Sequence, residues 1–90
     1  MSSKEILAMN LKYYRYKLNL SQERFADAIG SNLTYVNQLE NCKRKPTIDM
    51  LDKIANNLNK FDSNLHITAS ILLKYDKSHI TKFDRIDEKK

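Results

Sequence analysis

The stretch Gln22-Glu23-Arg24-Phe25-Ala26-Asp27-Ala28-Ile29-Gly30-Ser31-Asn32-Leu33-Thr34-Tyr35-Val36-Asn37-Gln38-Leu39-Glu40-Asn41 decides how this chain folds. Ser21, just before it, suits a helix N-cap, because its hydroxyl accepts from a free backbone N–H. Phe25, Ala26 and Ile29 then fall on one face of a short helix. Gly30, the single glycine of the chain, ends that helix. The turn there needs a positive φ, which glycine adopts without steric cost. Asn32 caps a second helix, with Val36 and Leu39 turned to the same core. Ala26 is small where the second helix must cross closely. Phe25, Ile29, Val36 and Leu39 set the crossing angle.

Two short helices joined by a tight glycine turn describe a helix-turn-helix. Upstream, Leu7, Leu11, Tyr14 and Leu18 repeat near the helical period of about 3.6 residues, predicting a helix over 4–18. Asn19 is a plausible stop, since asparagine tolerates the left-handed conformation. Downstream, Lys43, Arg44 and Lys45 precede the single proline, Pro46, and read as a loop. Thr47 caps a fourth helix that carries Ile48, Leu51, Ile54, Ala55 and Leu58 on one side. Residues 65–73 fit two periods. As a strand, Leu65, Ile67, Ala69, Ile71 and Leu73 alternate with their neighbours. As a helix capped by Thr68, Ile71, Leu72 and Tyr75 share a face. Helix is favoured, because a lone strand would have no partner in the chain. The ending, 77–90, is charged, with Ile80, Phe83 and Ile86 three apart. It reads as a frayed amphipathic helix or as unstructured chain. The expected architecture is all-α, one domain over 4–76 followed by a charged tail.

Composition agrees and excludes several classes. Ninety residues make one small domain. One Gly and one Pro leave little turn punctuation for a sheet fold. No run approaches the roughly 18 apolar residues of a membrane span. The first nine residues lack the apolar core of a secretory signal, so a cytoplasmic protein is expected. The lone cysteine, Cys42, makes neither an internal disulfide nor a multi-cysteine metal site. The formal charge is +5, which suggests an acidic partner only weakly. Its distribution is more informative: residues 1–47 hold eight bases against four acids, and 48–90 hold eight against seven.

Leu-Ser-Gln-Glu at 20–23, Phe-Ala at 25–26, Ile-Gly at 29–30, Tyr-Val-Asn-Gln-Leu-Glu-Asn at 35–41 and Lys-Arg-Lys-Pro-Thr at 43–47 form a specific set. With them the chain resembles the lambda-repressor-like, or Cro/Xre-type, helix-turn-helix regulators over about 11–58. The resemblance implies a five-helix DNA-binding domain and a transcriptional regulator acting as a homodimer on a palindromic operator. The Thr34-Tyr35 pair and the short C-terminal extension are similar to the controller proteins of restriction–modification systems.

With Val36 and Leu39 inward, the third helix turns Leu33, Thr34, Asn37, Gln38 and Asn41 outward. Such a helix enters the major groove. Gln and Asn side chains match the N6 and N7 edge of adenine, and Leu33 or Thr34 packs on a thymine methyl, favouring an A/T-containing half-site. Leu33, Thr34, Asn37 and Gln38 are the candidate base readers. Phosphates need donors. Gln22, which the family uses for the DNA backbone, opens a helix N-terminus that attracts anions. Arg24, Tyr35, Asn41, Lys43, Arg44 and Lys45 complete the phosphate candidates. By resemblance, Arg15 and Glu40 form a partly buried ion pair that fixes the third helix. Two departures stand out. Arg24 replaces the acid that would close a capping box with Ser21. Cys42 replaces a frequent glycine, where a positive φ costs a larger residue about 1 kcal/mol.

Enzymatic readings are poor. His66 and His79 lack ligand-spaced partners, and there is no glycine-rich phosphate loop. No metal, cofactor or small-molecule ligand is expected. The dimer contact is expected at Leu65, Ile67, Ile71, Leu72 and Tyr75, within 65–76, extended by Ile80 and Phe83. The alternative to a regulator is an antitoxin-like interaction module whose C-terminal segment binds a partner protein.

Overall fold

The computed structural model describes residues 1–79. Among them it is all helical: α1 (Ser3–Lys17), α2 (Gln22–Ile29), α3 (Leu33–Glu40), α4 (Ile48–Phe61), α5 (Ala69–Leu72) and one 3-10 turn, Lys77–His79. Each α-helix starts at a capped residue. Ser2 and Glu5 close a capping box at α1, which satisfies two free N–H groups reciprocally. Ser21, Asn32, Thr47 and Thr68 each accept from the backbone N–H three residues on.

The core is one cluster in which Leu11, Phe25, Ile29, Val36, Leu39, Ile54 and Leu58 are essentially inaccessible. α3 packs on α1 and α2, α4 packs on α2 and α5, and α1 closes against α5. Positive φ occurs where the chain must turn sharply. Gly30 has φ 74°. A methyl group there would come within 3.0 Å of the Asn57 amide, which caps Ile29 O from α4. Asn19 has φ 57°, as expected of a helix stop.

The 65–73 segment resolves differently from either single period. Only Ala69–Leu72 is helical; residues 65–68 form no regular element, with His66 at a positive φ of 51°, and no strand lies beside them among the described residues. Their backbone is satisfied by a side chain instead. Asn59 Nδ2 donates to Ile67 O at 2.7 Å, while Ile67 N donates to Asn59 Oδ1 at 2.7 Å. One amide from α4 thus does for Ile67 what a neighbouring strand would do.

This placement corrects part of the expected dimer contact. Ile67 and Leu72 are 2% and 0% exposed and fill this chain's own core, with Leu65 half-buried against it. Ile71, Leu73 and Tyr75 remain on the surface. Packing also continues past Asp76. His79 is buried, stacked on Tyr13 at 3.7 Å between ring centres. Its Nδ1 bonds Asn10 Oδ1 at 2.7 Å. Asn10, wholly buried in α1, donates Nδ2 to the carbonyls of Leu72 and Lys74 at 2.7 and 2.9 Å. Because Nδ2 faces carbonyls, Oδ1 is the acceptor and His79 Nδ1 carries a proton. Ile80 and Phe83, expected to extend the dimer contact, lie outside the described residues, as does most of the 77–90 tail.

Candidate nucleic-acid interface

α2 and α3 present one polar face, held from behind by an ion pair. Arg15, late in α1, donates Nε to Glu40 Oε2 at 2.7 Å and Nη2 to Glu40 Oε1 at 2.9 Å. The two side chains are 11% and 4% exposed. Burial works against the Arg15 charge, but the hydrogen bonds and charge of Glu40 outweigh it and hold the guanidinium pKa above its ordinary value. Nη1 also reaches Leu20 O at 3.3 Å, so the same side chain pins the turn between α1 and α2.

Gln22 joins this pair. Its Nε2 donates to Glu40 Oε1 at 3.0 Å. Its Oε1 accepts from Asn37 Nδ2 at 3.5 Å, and Asn37 Oδ1 accepts from Asn41 Nδ2 at 3.1 Å. Glu40 is an acceptor, so the chain of amides runs in one direction. The first helix therefore fixes the third through Glu40, and Glu40 orients the amides at the surface.

Two shallow depressions meet along this row. One is lined by Gln22, Leu33, Thr34, Asn37, Gln38 and Lys43. The other lies across Gln22 and Asn37 towards Lys12 and Tyr16 on α1. Leu33 and Thr34 are exposed at the start of α3, with Leu33 46% accessible. The structure thus brings Leu33, Thr34, Asn37 and Gln38 together with Gln22 and Lys43. Arg24 is exposed on the outer side of α2, where its N–H completes the Ser21 cap. It lines a separate depression with Glu23, Asp27 and the exposed Phe61. Asn41 is exposed as the α3 C-cap and folds back on Asn37, with Nδ2 donating to Asn37 O at 2.8 Å. Lys43, Arg44 and Lys45 are all exposed beyond it.

Tyr35 does not stand free. It is half-buried against the core, and the Arg44 guanidinium lies 4.9 Å over its ring. Burial raises the Tyr35 phenol pKa, and Arg44 opposes that rise. The turn that returns Arg44 is a Schellman motif: Lys43 N donates to Gln38 O at 2.9 Å and Cys42 N to Leu39 O at 3.3 Å. It requires the φ of 61° at Cys42, the conformation expected from the family's glycine.

A helix-turn-helix family model matches residues 11–61, which span the ion pair, both short helices and all of α4. The chain belongs to the Cro/Xre-type helix-turn-helix family. That is a family of DNA-binding transcription regulators, not of enzymes, and this member is a DNA-binding regulator. It is similar to control protein C.SmaI of Serratia marcescens, 42% identical over 59 residues, or 66% of this chain and 70% of the relative. The crystal structure of the hypothetical transcription factor NHTF from Neisseria has the same fold, with a TM-score of 0.71 at 24% identity. That match covers 88% of this chain and 83% of the other. Among the described residues, no helix is long and apolar enough to cross a membrane.

Sequence reasoning missed three features here. Gln22 as a third partner of Glu40 and the Arg44 contact with Gln38 both needed the packed geometry. Asn10 carried a usable signal: it lies between Leu7, Leu11 and Tyr14 on the apolar stripe of α1, where a polar residue must find buried partners.

Proposed function

We propose that this regulator is a homodimer that places α3 in the major groove of a palindromic operator, as a controller of the kind the C.SmaI likeness suggests. The observation that carries this reading is the lock of Arg15, Glu40 and Gln22 behind α3. It fixes the end of α3, the helix that carries Leu33, Thr34, Asn37 and Gln38 along one depression. Rigid presentation matters because a base contact made by a side chain held in place loses little rotamer freedom on binding. Leu33 suits a thymine methyl, and the polar residues suit base edges. Gln22 keeps a second N–H at the start of α2, where a phosphate is favoured. Lys43 and Lys45 add phosphate neutralisation without base information.

One such helix reads about four or five base pairs, too few for a unique site. Pairing two copies doubles the site. The pairing contact is placed within 65–76, on a unit whose packing reaches His79 rather than ending at 76. Ile71, Leu73 and Tyr75 are 37%, 41% and 49% exposed there. Leu73 also shares an apolar groove with Pro46 and Ile48, and Ile48 is 74% exposed. Symmetric pairing would cover this surface. Selection of bound DNA from a random pool at fixed salt tests the reading. Two inverted copies of one half-site are expected, and enrichment of a single unpaired element or of no sequence would contradict it.

A further inference from the structure

We propose that Arg44 sets the amide of Gln38 to read DNA as a hydrogen-bond donor only, so that the base it faces is guanine. This rests on α3 lying in the major groove as proposed above. Arg44 Nε donates to Gln38 Oε1 at 2.8 Å. A guanidinium has no acceptor, so the amide must turn its oxygen to Arg44 and its Nε2 away. Arg44 is itself held, with its guanidinium 4.9 Å over the Tyr35 ring, in cation–π range. Tyr35 is anchored by the core. The Schellman turn through Cys42 brings Arg44 back alongside the last turn of α3. The ring therefore carries the guanidinium, and the guanidinium holds the amide by its oxygen.

An unrestrained glutamine offers adenine both an acceptor for N6–H and a donor for N7. Here the amide oxygen is turned towards Arg44, from which it accepts, so Nε2 is the end presented outward. The remaining Nε2 hydrogens suit an edge that offers acceptors alone. Guanine presents two acceptors, N7 and O6, and no donor in the major groove; thymine offers the single acceptor O4 beside its methyl, and adenine would oppose its N6–H to another donor. Arg44 is thus a positioning residue for base readout, and the adenine preference expected of Gln38 by residue type is reversed.

The test is pool selection at fixed salt with the full chain and the Gln38→Ala and Arg44→Met variants. Gln38→Ala identifies the base pair that Gln38 reads, as the position whose preference flattens. Arg44→Met keeps a long side chain over Tyr35 but removes the donor. Wild-type protein should prefer guanine over adenine there by about tenfold or more, and Arg44→Met should shift the ratio towards adenine by a similar factor. Adenine preferred by the wild type, or an unchanged base in Arg44→Met, would overturn the proposal while leaving the groove placement standing. Loss of all specific binding in Arg44→Met would make Arg44 a direct contact and overturn its positioning role. If Gln38→Ala flattens no position, base reading by Gln38 and this proposal fail together.

Discussion

Arg15 and Glu40 meet through two parallel hydrogen bonds, 2.7 and 2.9 Å long, that tie the end of α1 to the end of α3. With both side chains almost out of solvent, removing one leaves the other charge buried. Arg15→Ala is expected to lower stability by about 3–5 kcal/mol in chemical denaturation. Arg15→Lys should fall between that variant and the wild type, because an ammonium cannot bridge both oxygens. A loss under about 0.5 kcal/mol for Arg15→Ala would mean that the pair behaves as an exposed one.

Gln38→Ala should weaken binding to the selected operator by about 1–3 kcal/mol and leave random DNA almost unaffected. An equal loss on both DNAs, measured by titration at one salt concentration, would remove Gln38 from the base readers.

Lys43 and Lys45 test the opposite behaviour. Replacing both by alanine should weaken specific and random DNA alike and reduce the salt slope of binding by up to about two. An unchanged slope would return them to a solvated loop. Arg44 is left intact in this variant because it holds Gln38.

The pairing surface is tested by Ile71→Glu with Leu73→Glu. Leu72 is excluded, since it is buried in the core and its replacement would unfold the monomer. Sedimentation should show folded monomers with weak operator binding. Dimers with native affinity would place the contact elsewhere.

His79 gives a pH dependence. Burial holds its imidazole pKa below the ordinary 6.5, against the pull of Asp76 and with help from Lys17. The folded state therefore favours the neutral ring. The stability it contributes is complete above pH 6.5 and is lost as the pH falls through that value towards the lowered one. The melting temperature should drop on acidification below pH 6.5, and His79→Gln should show a smaller drop. An identical pH profile in the two proteins would contradict the burial of His79 against Tyr13 and Asn10.

Cys42 sits at φ 61° in the Schellman turn. Cys42→Gly relieves that strain, less the entropy glycine adds to the unfolded chain. The net gain expected is at most about 0.5 kcal/mol in thermal unfolding, and a loss of stability would contradict the strain at this turn.

What was legible in the sequence was mostly local. Ser21, Gly30, Asn32 and Thr47 announce helix ends through their own side chains or lack of one, and the structure puts the caps there. Arg15 and Glu40 were legible through family resemblance rather than spacing. The fifth helix was only half legible. Thr68 marks its start, but the placement of Ile67 just before it depends on Asn59, eight residues away on another element. The Asn10–His79 pair was out of reach, because its members are 69 residues apart. The polarity of Gln38 was equally hidden. Residue type fixes what an amide offers in general, and only its neighbour decides which end is free.

Methylation interference on the selected operator tests the groove placement most directly. Guanine N7 lies in the major groove and adenine N3 in the minor groove. Methylation at N7 within each half-site should block binding. The two blocked clusters should be centred about one helical turn, roughly 34 Å, apart. Interference confined to adenine N3, or to one cluster alone, would contradict a dimer reading the major groove through α3.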